Sequence, residues 1–104
     1  MQIKTFETRT GRTIAIRADE RLDWRVHNIF SQAVTLACSA SQSLSDIVID
    51  LRKTRLIRDS GLSMLSMLCK KTGLPREQIR LVNCSPEIRA RLNASALAGT
   101  VRVM

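Results

Sequence analysis

Asp46-Ile47-Val48-Ile49-Asp50-Leu51, followed after a short basic stretch by Leu56-Ile57-Arg58-Asp59-Ser60-Gly61-Leu62, is the part of the chain that decides its fold. Ile47, Val48 and Ile49 are consecutive and β-branched. Such a run predicts a strand covered on both faces, as in a parallel or mixed sheet with helices packed against it. Asp46 and Asp50 lie four apart and so share one face of that strand, where they mark its ends. Asp59-Ser60-Gly61 predicts the start of a helix running to about Lys71. An acidic residue and a hydroxyl there can cap free N–H groups, and Gly lets the chain turn. Leu62, Leu65, Leu68 and Cys69 form the expected inner face, widened by Met64 and Met67. Lys70 and Lys71 in the last turn, with Gly73 after them, make a helix stop.

Working outward, Gln2 to Glu7 carries Ile3 and Phe6 among polar residues, and Arg12 to Arg17 alternates, with Ile14 and Ile16 inward. Thr8-Arg9-Thr10-Gly11 between them reads as the turn of a β-hairpin. Asp19 to Asp23 is polar and turn-like. A helix is expected from about Trp24 to Ser39, with Val26, Ile29, Phe30, Ala33, Leu36 and Ala37 on one face and Asp23 as its N-cap. Ser39 to Ser45 reads as a loop. Gln78 to Val82 predicts another strand. Ser85-Pro86-Glu87 is a strong helix start: Ser as N-cap, Pro at the first helical position, Glu in the first turn. Ile88 and Leu92 face inward from that helix, and Val101 to Met104 reads as a short closing strand. The expected order is β-β-α-β-α-β-α-β, which calls for right-handed crossovers and a largely parallel sheet with an antiparallel hairpin at its edge.

The 104 residues fit one domain, taken as residues 1–104, and 44% of them are apolar, enough for a core without disulfide or metal staples. No apolar run approaches the length of a membrane span, and the first residues do not have the pattern of a secretory signal. Cys38, Cys69 and Cys84 give neither a disulfide ladder nor a zinc pattern, and free thiols in a reducing cytosol are the simplest reading.

Catalytic chemistry has little to work with. His27 is the sole histidine, so a histidine-based triad or metal site has no second member. No glycine-rich phosphate loop occurs. Seventeen Lys and Arg against nine Asp and Glu leave a net charge of +8, with Arg52, Lys53, Arg55 and Arg58 crowded together, Lys70, Lys71 and Arg76 in a second group, and Arg89 and Arg91 in a third. Such a field attracts nucleic acid, an acidic membrane surface or an acidic protein. Phe6, Trp24 and Phe30 are the only aromatics, which disfavours nucleic acid by leaving few stacking platforms.

The block from Ile47 to Leu62, with Leu81-Val82-Asn83-Cys84-Ser85-Pro86-Glu87-Ile88, Leu92 and Leu97 after it, resembles a STAS domain, the fold of the anti-sigma-factor antagonists. The family pattern is an apolar strand ending Asp-Leu, a loop, and then Asp-Ser-Ser-Gly-Leu opening a helix. Asp50 to Gly61 matches that spacing without a gap. Leu22-Asp23 also resembles the Leu-Asp that precedes the family's first helix. The resemblance implies a STAS-like α/β fold and a non-enzymatic, cytoplasmic adaptor without cofactor or metal. Such an adaptor binds a kinase-type anti-sigma factor or related signalling protein, and phosphorylation of the first Ser of the motif ejects it. Here Arg58 stands at the motif's Asp and Asp59 at the phosphorylatable Ser; only Ser60 and Gly61 match. Position 59 cannot be phosphorylated as a serine. Its carboxylate imitates a phosphate in part, and Arg58 beside it could offset the charge. The implied contact surface is Arg58, Asp59, Ser60, Leu62 and Ser63, with the basic loop from Arg52 to Arg55 alongside and Ser60 as a substitute phosphosite. The alternatives are a STAS subunit of a membrane transport complex, touching the membrane only through that complex, and a basic nucleic-acid-binding module.

Overall fold

The computed structural model describes residues 2–8, 11–24, 28, 29, 31, 32, 35 and 44–104. Among these the strands are β1 (Gln2–Thr8), β2 (Gly11–Arg17), β3 (Arg21–Leu22), β4 (Leu44–Asp50), β5 (Leu56–Ile57), β6 (Ile79–Val82) and β7 (Arg102–Val103). The helices with described bounds are α1 (Asp59–Thr72) and α2 (Pro86–Asn93). Asn28, Ile29, Ser31, Gln32 and Thr35 are also helical, and the Thr35 hydroxyl donates to the Ser31 carbonyl at 2.9 Å. Trp24 is described, in 3-10 conformation and exposed, and Asp23 before it is buried; the other residues of the helix expected from Trp24 to Ser39, with His27 and Cys38, lie outside the described residues, and with them the N–H groups that Asp23 is expected to cap.

Five strands form one sheet in the order β1-β2-β4-β6-β7. β1 and β2 are antiparallel, with Ile3 opposite Ile16 and Thr5 opposite Ile14. Every other pair is parallel. This is the mixed, largely parallel α/β sheet with an N-terminal hairpin that the sequence predicts.

Ile14, Ile16, Ile47, Ile49, Ile79 and Leu81 are at most 1% exposed, and they share one core with Leu65 and Leu68 of α1 and Ile88 and Leu92 of α2. Each such side chain contributes about 1.5–3 kcal/mol by leaving water. The strand order explains why both helices lie on this one face. From β2 onward each strand of this sheet is added beside the last in a single direction, β3 and β5 forming a separate pair, and right-handed crossovers in a single direction place their helices on the same side. The other face, with Ala15, Val48 and Val82, is only half-buried. The expectation that β4 is covered on both faces is therefore corrected. The β-branched run reflects fit to a pleated strand rather than full burial.

A second correction concerns residues 19–23. Arg21 and Leu22 are a strand, paired in parallel with Leu56 and Ile57. Leu22 is completely buried. The Glu20 carbonyl accepts from the Arg55 and Leu56 N–H groups at 2.8 and 3.2 Å, and the Thr54 hydroxyl, itself buried, donates to the Asp19 carbonyl at 2.7 Å. The basic loop is thus tied down along its backbone while Arg52, Lys53 and Arg55 remain exposed.

Candidate functional site

The site centres on the turn between β5 and α1. The Arg58 N–H donates to the Leu22 carbonyl at 2.9 Å, which fixes where the helix begins. Arg58 is the N-cap in extended conformation and offers no side-chain hydrogen bond to the helix. Asp59 is the first helical residue. The expected capping by Asp59 and Ser60 is therefore overturned, and Asp59 acts on α1 only as a negative charge near the helix's positive end. Gly61 also does something other than relax a turn. It sits inside the helix, buried, where a Cβ would lie 2.2 Å from the Leu22 carbonyl oxygen. Only glycine lets the helix approach β3 this closely.

Asp59 projects outward, its side chain 97% exposed, and Arg91 of α2 reaches across to it. The Arg91 guanidinium donates to the Ile57 carbonyl at 2.6 Å through Nε and to Asp59 Oδ1 at 2.7 Å. The hydrogen-bonded counter-charge on Asp59 thus comes from α2, in addition to the charge of its sequence neighbour Arg58. Because Arg91 is anchored on a backbone carbonyl, its position is fixed and little side-chain entropy remains to be lost on pairing.

Of the predicted contact residues, Arg58, Asp59 and Ser63 are exposed and Ser60 and Leu62 half-buried. Leu62 and Ser63 open onto a groove of about 720 Å³ between α1 and the short 3-10 turn Ala96–Gly99. Met67, Lys70, Lys71 and Leu97 line its far part. The start of α1 is thus the head of an apolar, basic-edged channel. The Arg52 to Arg55 loop is partly balanced by Asp19 and Glu20 on the same surface.

The remaining chemistry is structural. Burial pushes the Asp50 carboxyl up, but the Arg52 N–H at 2.9 Å, the Asn83 amide at 3.1 Å and the charges of Arg52 and Arg17 outweigh it and hold the group below its ordinary range. Asp46 accepts from the Thr13 hydroxyl and from Arg80. Asp50 ends β4 as expected, whereas Asp46 lies inside it, because the strand begins at Leu44; there it ties β4 to its neighbours β2 and β6. Burial pushes the Cys69 thiol up to about 11 and raises that of Cys84, so both are protonated at neutral pH. Among the described residues no three of His, Cys, Asp and Glu are grouped as a metal site. No described helix is long and apolar enough to cross a membrane.

Sequence reasoning missed Arg91, the contact of Gly61 with Leu22, and the groove wall at Ala96 and Leu97. Arg91 lies 32 residues from Asp59 and had no local signal beyond its charge.

Comparison with known proteins bears on the fold and the family. The STAS domain family matches residues 5–103. A STAS-domain containing protein of Pseudomonas aeruginosa (strain UCBPP-PA14) is 32% identical over 95 residues, 91% of each chain. Among solved structures, the anti-sigma factor antagonist SpoIIAA in its unphosphorylated form is similar with a TM-score of 0.73 at 17% identity, over 99% of this chain and 88% of that one. A serine-to-glutamate variant of Moorella thermoacetica RsbS has a TM-score of 0.68 at 16% identity, over 100% and 86% of the two chains. The strand order, the turn into α1 and these likenesses lead to one conclusion: the chain belongs to the STAS domain family.

Proposed function

We propose that the chain is a non-enzymatic, cytoplasmic signalling adaptor that docks through the start of α1 onto a kinase-type anti-sigma factor. We also infer that Asp59 keeps it in the binding-competent condition. The observation that carries this reading is the Asp59–Arg91 pair. A phosphoserine at this position would bring about −1.5 to −2 charge. The carboxylate brings −1, and Arg91 cancels it on the protein's own surface. With Arg58 beside them the turn is positive in sum. Electrically it matches the form of such an adaptor before phosphorylation, not the ejected one. The groove continuing past Leu62 and Ser63 to Lys70 and Lys71 supports a footprint that runs down α1, suited to an apolar, acidic partner surface.

Calorimetric titration against the kinase-type anti-sigma factor encoded nearest its gene tests the reading. The native protein is expected to bind with ATP present and absent. Asp59→Ser should bind and then be released by ATP as the new serine is phosphorylated. Arg91→Ala should bind more weakly, since it uncovers the Asp59 charge. Absence of binding by both the native protein and Asp59→Ser overturns the proposal. Co-purification with a transporter ATPase subunit instead would move the same docking surface to a membrane transport complex.

A further inference from the structure

The face of the sheet turned away from α1 and α2 carries its own pattern. One row of side chains crosses all five strands in register: Lys4 beside Ala15, Ala15 beside Val48, Val48 beside Arg80, and Arg80 beside Arg102. It is apolar in the middle and basic at both edges. Beside it Phe6, 51% exposed, joins Ala15, Val48 and Val82 around a hollow of about 270 Å³, with Lys4 and Arg17 on the rim and the Asp50 carboxylate, next to the Arg17 charge, in its wall. Both acids of this face are engaged internally, Asp46 by Thr13 and Arg80, and Asp50 by the Arg52 N–H and Asn83. What the face presents outward is an apolar centre whose half-buried Asp46 and Asp50 are partnered, between exposed positive side chains at Lys4, Arg17 and Arg102 that leave it basic in sum.

We propose that this open sheet face is a second docking surface, which receives an acidic amphipathic helix from a partner protein. Charge complementarity selects that occupant. A second copy of a chain carrying +8 would bring the same positive edges against these. A nucleic acid strand would find one aromatic platform, Phe6, where it needs a series. Four inter-strand spacings separate β1 from β7, about 19 Å. A helix of about thirteen residues covers that distance. Glutamates near its two ends would meet Lys4 on one side and Arg102 on the other, and a leucine between them would enter the hollow beside Phe6. α1 packs against the opposite face of the sheet through Leu65 and Leu68, so both surfaces can be occupied together.

The experiment uses a fluorescein-labelled fourteen-residue helical peptide with glutamates at both ends and leucines on one face, and a twin with lysine for each glutamate. Anisotropy should rise with the acidic peptide and not with its twin. Affinity should fall about tenfold or more in Arg17→Glu and in Phe6→Ser, and fall with added salt. Arg58→Glu, on the α1 side, should leave it unchanged. Amide shift mapping on the native protein should place the perturbations at Lys4, Ala15, Val48 and Arg80, which holds even if Phe6→Ser fails to fold. No anisotropy change, perturbations confined to α1, equal binding of the lysine twin, displacement by oligo(U), or dimerisation by light scattering would each overturn the proposal.

Discussion

The two helices whose starts are described begin in opposite ways. At α2 the chain closes its own end: the Ser85 hydroxyl accepts from the Ile88 N–H at 3.2 Å and Pro86 occupies the first position, where an N–H would be surplus. At α1 no side chain caps the helix, and the start is held from outside by the Leu22 carbonyl and by Gly61 pressed against it. A helix that satisfies its own terminus has nothing left there for a partner. One positioned by tertiary contact keeps its first N–H groups and its side chains turned outward, and at α1 those side chains are Arg58 and Asp59.

This contrast can be broken hardest at Gly61. Gly61→Ala should cost about 3 kcal/mol, since the clash is with backbone that cannot rotate aside. For a domain of this size that is a fall of about 15 °C in melting temperature, read by circular dichroism. A fall of only a degree or two would mean that α1 can slide off β3. Ser85→Ala should cost about 1 kcal/mol by loss of the cap, measured by urea unfolding. Arg58→Ser runs the comparison the other way. It places a capping hydroxyl on a residue already extended, and should stabilise by about 0.5–1 kcal/mol; no gain would show that α1's first N–H groups lack nothing. The smallest effect is kinetic. Cys69 lies in α1 and Cys84 just before α2, both buried. At pH 7.5 burial keeps both protonated and slow towards a disulfide reagent. In Gly61→Ala, Cys69 should gain more reactivity than Cys84. For Cys69 the fully folded advantage holds below pH 9.0, and it declines as the pH rises towards about 11, because the unfolded thiol ionises first.

What the sequence makes legible follows the same division. The α2 cap, the Gly73 stop with φ 66° and the inward Ile14 and Ile16 are all set within a few residues, and all stand as expected. Leu22 as a buried strand, Arg91 as the partner of Asp59 and Gly61 as a contact residue depend on chain segments about 32 to 39 residues apart, and no local pattern encodes them. The open sheet face is an intermediate case. Val48 is β-branched like its buried neighbours Ile47 and Ile49, and only the strand order seen in the structure shows that its side of the sheet is half-buried. Of the candidate site, residue types and exposure were legible at Arg58, Asp59 and Ser63; the charge balance that sets their meaning was not.

One carbonyl has a mechanical consequence. The Leu22 oxygen both receives the Arg58 N–H and stops Gly61, so it serves as the fulcrum for the front of α1. A partner that drags residue 59 sideways must drag the backbone at residue 22 as well. The turn therefore passes force to the strand beneath it instead of bending, and any signal delivered there arrives at the middle of the fold.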